Sequence, residues 1–282
     1  MSTEPSGETT RDAARFGPDD ELRGARFAEA DLTGATFRLV RLDGVRFDQS
    51  FMPGAVMRGV DLTGADIDGE ITGLRVNGVD VVPLVEAELN RRFPGREQAR
   101  SQDLAEQRAS LDGALRAWDA HLQRAAAMSA VDVSVDGEWS TAQTLRHLVL
   151  AMDGWIRHGL RGIDDAFWYA GLPFTEYEPE VWRHGIDLAA APSLEEVCAV
   201  HADRIAQVYA LYDDLAGTDV TVDAPRLPPW APDGLVFPVH RCLGVVAREH
   251  WAHLQFVVRD LDTLAARGAD AGASSPGAPT AP

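Results

Sequence analysis

The chain has 282 residues, 44 acidic and 26 basic side chains, a formal net charge of −18 and 45% apolar residues. That is length enough for two domains, and the acidity argues against nucleic-acid or anionic-membrane partners, which need a basic surface. Every basic residue is Arg, which rules out Schiff-base chemistry and a phosphate-loop lysine, and two cysteines cannot build a disulfide framework.

Residues 1–20 are rich in Ser, Thr and acids and have no apolar core of a signal peptide, so a disordered N-terminus and a cytoplasmic location are expected. From 21 to 73 the sequence repeats every five residues. Leu22, Phe27, Leu32, Phe37, Leu42, Phe47, Met52, Met57, Leu62 and Ile67 mark the centre of successive pentads. A small or β-branched residue, such as Ala25, Ala35, Val45 or Ala65, stands two places before the next centre. A period of five fits neither helix nor strand but suits a solenoid with one pentad per side of a square coil. These pentads resemble the pentapeptide-repeat family, which implies a right-handed quadrilateral β-helix. Arginines interrupt its acidic surface, so a protein-interaction module is a better expectation than imitation of duplex DNA.

Residues 74–95 read as a cap. Apolar and polar residues alternate around Asn77-Gly78, a hairpin signal, and a short helix over 83–92 carries Pro83 in its first turn. Pro94-Gly95 is the expected domain boundary. From 96 to 268 the pattern is helical, with four long amphipathic stretches over about 97–128, 140–160, 193–217 and 238–267. Ser140 with Gln143, and Ser193 with Glu196, have capping-box spacing. Four helices of this length predict an all-α bundle. The crossover over 161–192 holds Phe167, Trp168, Tyr169, Phe174, Tyr177 and Trp182 and is long enough to serve as a lid or substrate wall. Residues 269–282 are Ala, Gly, Ser and Pro and are expected to be disordered.

The chemistry concentrates in Glu249-His250-Trp251-Ala252-His253 on the last helix. Glu249 and His253 are four apart and share a face, and a third ligand would come from a facing helix. His147 is the candidate. It lies off the main stripe of Leu145, Leu148, Val149, Met152 and Ile156, on a second stripe with Thr144, Ala151, Gly154 and His158. That stripe either faces solvent or, if it faces inward, leaves a cavity beside its small residues. Cys242 reads as a buried core residue rather than a nucleophile, and Cys198 and His201 as packing.

Trp139-Ser140 followed by His147, then Glu249-x-x-x-His253 with Arg259-Asp260-Leu261, resembles the DinB-like four-helix-bundle superfamily. The likeness covers about 96–267. It implies a metal held by three residues from two helices. The mycothiol-dependent maleylpyruvate isomerase branch has His, Glu and His in those places, matched here by His147, Glu249 and His253. His250 is an added neighbour that leaves two candidates for the middle ligand, and the four-residue spacing favours Glu249. The resemblance implies a divalent ion, Zn²⁺ or else Ni²⁺ or Fe²⁺, and transfer or isomerisation of a small electrophile by a low-molecular-weight thiol such as mycothiol. The alternatives are a non-enzymatic, metal-stabilised bundle joined to an interaction module, and a metal-assisted hydrolase.

Overall fold

The structure is a computed structural model describing residues 14–273, with side chains described except at 175–179 and 269–273. Most of the ends expected to be disordered, 1–13 and 274–282, therefore lies outside the described residues. The chain separates into two compact units, Met1–Ile67 and Asp68–Pro282.

In the first unit the period of five is a backbone period. The N–H groups of Ala25, Ala35, Val45, Ala55 and Ala65 donate to the carbonyls three residues back at 2.9–3.1 Å. Left-handed backbone recurs at every fifth residue, at Gly24, Glu29, Gly34, Leu39, Gly44, Gln49, Gly54, Gly59 and Gly64. No strand forms over 21–67, and these residues show a recurring turn rather than the ladders of the expected β-helix. Each backbone hydrogen bond between described residues of this unit closes a single turn. Nothing draws the large central side chains into a shared interior, and Leu22 through Ile67 stay 43–62% exposed.

The second unit opens with the cap. Strands β1 (Arg75–Val76) and β2 (Val79–Asp80) pair antiparallel around Asn77-Gly78. Both turn residues have positive φ, as this two-residue turn requires. Helix α1 (Val82–Arg92) follows, with Pro83 in its first turn. The division between the units falls at Ile67, ahead of the expected boundary at Pro94-Gly95. The cause is visible in the contacts: Phe93 packs on Trp251 at 6.0 Å between ring centroids, and Ser110 Oγ donates to the Gly95 carbonyl at 2.7 Å.

Five α-helices form where the bundle reading has four, because α1 adds to α2 (Leu104–Ala127), α3 (Thr141–Met152), α4 (Leu194–Leu215) and α5 (Val239–Ala273). The single helix expected over 97–128 is broken. A 3-10 turn, Glu97–Arg100, precedes α2, whose N-cap Asp103 accepts from the Ala105 N–H at 2.7 Å. Ser140 and Gln143 form the reciprocal capping box at the start of α3. After Met152 the helix widens into a π-helical stretch, Asp153–Leu160. Helix α5 runs past the expected end at 267 to Ala273, into the tail expected to be disordered.

Helix α2 lies along α5. Trp118 Nε1 donates to the His250 carbonyl at 2.8 Å and Trp251 Nε1 to Ser110 Oγ at 3.0 Å, so both indoles are satisfied where they are buried. Gly244 allows this approach, since a Cβ there would stand 2.5 Å from the Ala99 carbonyl oxygen. Around these contacts Leu111, Leu145, Leu148, Leu243, Leu254 and Leu261 are essentially inaccessible. Each contributes roughly 1.5–3 kcal/mol by leaving water.

Helix α3 is covered on more than one side. It packs on α4 and α5, and the crossover is pinned to it by hydrogen bonds. Arg146 Nε donates to the Ala170 carbonyl at 2.7 Å, and the fully buried Asp153 accepts from the Trp168 N–H at 2.8 Å and Arg204 Nε at 2.6 Å. The crossover is thus a fixed wall, and its Phe167 and Phe174 pack with Leu150, Val181 and Ile186. Among the described residues no helix is long and apolar enough to cross a membrane.

Candidate metal centre

The three residues singled out by spacing converge. His147 from α3 and Glu249 and His253 from α5 each bring one ligand atom to a place where all three atoms lie within 4.8 Å of one another. Glu249 Oε2 is 3.3 Å from His253 Nε2 and 3.9 Å from His147 Nε2. Being one helical turn apart on α5 sets the first pair. The packing of α3 on α5 brings in the second imidazole.

His147 is oriented from behind. Its Nδ1 lies 3.0 Å from the carbonyl of Leu172 in the crossover. The carbonyl can only accept, so Nδ1 carries the proton and Nε2 turns an unprotonated lone pair toward Glu249. Burial, with the His253 charge second, pushes the His147 pKa down to about 4. The ring is therefore neutral at pH 7, the form that binds a cation. Burial pushes the Glu249 carboxyl up, but the hydrogen bond and charge of His253, with His147 and Arg248, more than offset it. Glu249 ends below its ordinary pKa and is ionised.

Aromatic rings close the flanks. Trp139 lies 4.9 Å from the His147 ring and stacks at 6.3 Å on His253, which meets the edge of Phe256 at 5.5 Å. A neutral imidazole fixed by an outer hydrogen bond, a second imidazole and one carboxylate form a donor set that fits a divalent cation.

Geometry separates Glu249 from His250. His250 is fully buried on another side of α5, with Nδ1 2.7 Å from the Val246 carbonyl and Nε2 2.9 Å from His201 Nε2. Both of its nitrogens are engaged, and it does not join the cluster. His201, expected only to pack, is its partner. Burial lowers the His201 pKa to about 3 and the His250 pKa to about 4, so the pair is neutral and shares one N–H between the two Nε2 atoms.

His147 faces inward at 9% exposure, but its stripe does not open a cavity at Gly154. The Trp230 ring fills that place: a Cβ on Gly154 would stand 2.1 Å from its nearest carbon. Cys242 is buried, and burial raises its thiol to about pH 11, so it stays protonated and is no nucleophile.

The space that reaches the cluster lies among residues to which the sequence assigned no role. A cavity of about 310 Å³ is lined by Arg96, Arg100, Trp155, Phe237, Arg241 and Arg248, and it reaches Glu249. Arg241 and Arg248, seven apart on α5, carry a spacing that could have marked them, yet such pairs usually belong to a solvated helix face.

A family model described as the DinB superfamily matches residues 110–257, more than half of the chain, and a pentapeptide-repeat model matches eight copies over 21–53 and 41–69. Comparison with curated proteins and with solved structures returns no match. With its helical unit matched over that length, the chain belongs to the DinB superfamily and carries pentapeptide repeats ahead of the DinB-like domain.

Proposed function

We propose that His147, Glu249 and His253 hold a divalent metal, Zn²⁺ or alternatively Ni²⁺ or Fe²⁺, in a thiol-dependent transferase or isomerase. The observation that carries this reading is the convergence of three ligand atoms within 4.8 Å, with His147 held in its ligating tautomer by Leu172. Three protein ligands leave room for an exchangeable one. Bound there, the metal would lower the pKa of a low-molecular-weight thiol, mycothiol in the branch this site resembles, so that thiolate is present at neutral pH.

The residues of the chain divide the remaining tasks. Glu249 supplies the negative charge of the ligand set, and the neutral imidazoles leave the site its net positive charge once loaded. Trp139 and Phe256 exclude water from the imidazole faces. The thiolate would form a C–S bond to the electrophile; in a transfer the displaced group would leave with its bonding pair, and in an isomerisation the C–S bond would break again, releasing product and thiol. The reading includes a cytoplasmic location. For 21–73 we propose a right-handed quadrilateral β-helix that serves as a protein-interaction module. The five-residue recurrence of turns supports it, and the half-exposed centres from Leu22 to Ile67 are the side chains such a coil would turn inward.

The test loads the full chain with Zn²⁺ and follows consumption of mycothiol and of glutathione with chlorodinitrobenzene as electrophile. Thiol consumption that tracks metal content, and is lost in His253→Ala, is the expected result. Stoichiometric metal with no turnover of either thiol would point to a structural ion in a non-enzymatic bundle.

A further inference from the structure

We propose that the arginine-lined cavity beside Glu249 is a binding site for the oxyanion group, carboxylate or phosphate, of a small molecule. The cavity holds about 310 Å³, room for such a ligand. Its lining carries four guanidinium groups and one carboxylate in a chain whose net charge is −18. This is a local concentration of positive groups in an acidic chain.

The four arginines are not equivalent. Arg96 and Arg100 are partnered by Glu86, at 2.6 and 3.4 Å. Among the described residues no carboxylate pairs with Arg241 or Arg248. Arg241 stacks its guanidinium on Phe237 at 3.7 Å, which holds the planar group in one orientation. Among the described residues Arg248 makes one hydrogen bond, a long one of 3.4 Å to the Arg241 carbonyl; it is only partly exposed, and the Glu249 charge beside it is the one the candidate ligand cluster uses. A guanidinium withdrawn from water among like charges is costly unless an anion neutralises it. Two donor forks without an ion-pair partner among the described residues supply the bidentate geometry that carboxylates and phosphates accept. Trp155 and Phe237 add apolar walls for the rest of the molecule.

The site needs no metal, so its test is independent of the thiol reading. Calorimetric titration of the metal-free full chain at low ionic strength, with succinate and separately with inorganic phosphate, should show binding of at least one. Tighter succinate binding identifies a carboxylate site and tighter phosphate binding a phosphoryl site. Arg248→Gln and Arg241→Gln should each weaken binding roughly tenfold, and added salt should weaken it further. Ala252→Glu keeps every arginine but places a competing carboxylate on the exposed lining, and it too should suppress binding. Thermal melts of the variants show that they are folded, and Arg241, exposed on α5, is the substitution safest for folding. Absence of binding by both anions at millimolar concentration overturns the proposal, as does unchanged affinity in folded Arg241→Gln and Ala252→Glu.

Discussion

Helix α5 carries two histidine clusters on different sides, begun by neighbouring residues, and they differ in how their nitrogens are spent. At His250 every ring nitrogen is engaged by the protein itself, one with the Val246 carbonyl and one with His201. At His147 only the outer nitrogen is engaged, by Leu172, and the inner one faces Glu249 at 3.9 Å. A buried histidine with all of its bonds made within the protein stabilises the fold. One whose lone pair meets other ligand atoms is available to a cation. Residue type and burial are nearly the same in the two clusters, and hydrogen-bond inventory separates them.

The sharpest way to break this contrast is to delete a nitrogen from each side. His147→Ala removes one of the three proposed ligands, and metal affinity should fall by more than the roughly 100-fold typical of losing an outer-sphere partner. Metal content by mass spectrometry after dialysis reads this directly. His250→Ala should do the reverse. Metal content should stay stoichiometric, while unfolding in urea shows a loss of about 2–4 kcal/mol from the vacated site and the orphaned His201 nitrogen. Metal loss in His250→Ala without unfolding would merge the two clusters into one.

A smaller effect is expected from pH. His201 and His250 titrate near 3 and 4 when folded, below the ordinary histidine value. The unfolded chain therefore binds more protons between about pH 6.5 and 4, and stability falls as pH falls through that window. For His201 alone the loss between pH 7 and 5 is on the order of 2 kcal/mol. Metal-free protein should show it in urea melts at the two pH values, and His201→Gln should flatten the slope. An unchanged slope in that variant would mean that other groups set the acid sensitivity. The smallest change concerns the wall. Trp139→Phe keeps a ring near both imidazoles with less area, and metal affinity should drop by less than about tenfold. A larger drop would make Trp139 a determinant of ligand placement and not a cover.

Much of this was legible in the residues. The four-residue spacing put Glu249 and His253 on one face, where Oε2 and Nε2 lie 3.3 Å apart, and the capping box at Ser140 placed the start of α3 correctly. The period of five was legible as a turn rhythm, though not as packing, because a repeat states which positions are equivalent and not whether they close on a core. What escaped has a common cause, side chains delivered from segments with no periodicity. Whether His147 faced solvent or the interior was open because α3 is covered on more than one side. Eleven of its twelve residues are buried, and the second cover is the irregular crossover. Gly154 suggested empty space because nothing about Trp230, far along the chain in a loop, announces that it fills it. The arginine cavity is assembled from the Glu97–Arg100 region, the π-helical stretch, Phe237 and α5, and no single window of sequence contains it.

The π-helical stretch has a consequence for how this chain can change. A π turn holds one residue more than an α turn, so Asp153–Leu160 is equivalent to an ordinary helix that has taken in a residue. Loss of a single codon here would let the backbone tighten to α geometry with the later side chains kept on their present faces, whereas tightening with the sequence unchanged would rotate each of them by about 100°. With that rotation Trp155 would leave the arginine cavity, and Arg157 would swing from its place 3.3 Å from Asp153. The ligand cluster, upstream on α3 and on α5, would keep its local spacing. A change from π to α winding here is therefore a way to remodel the arginine cavity while the positions of His147, Glu249 and His253 stay intact.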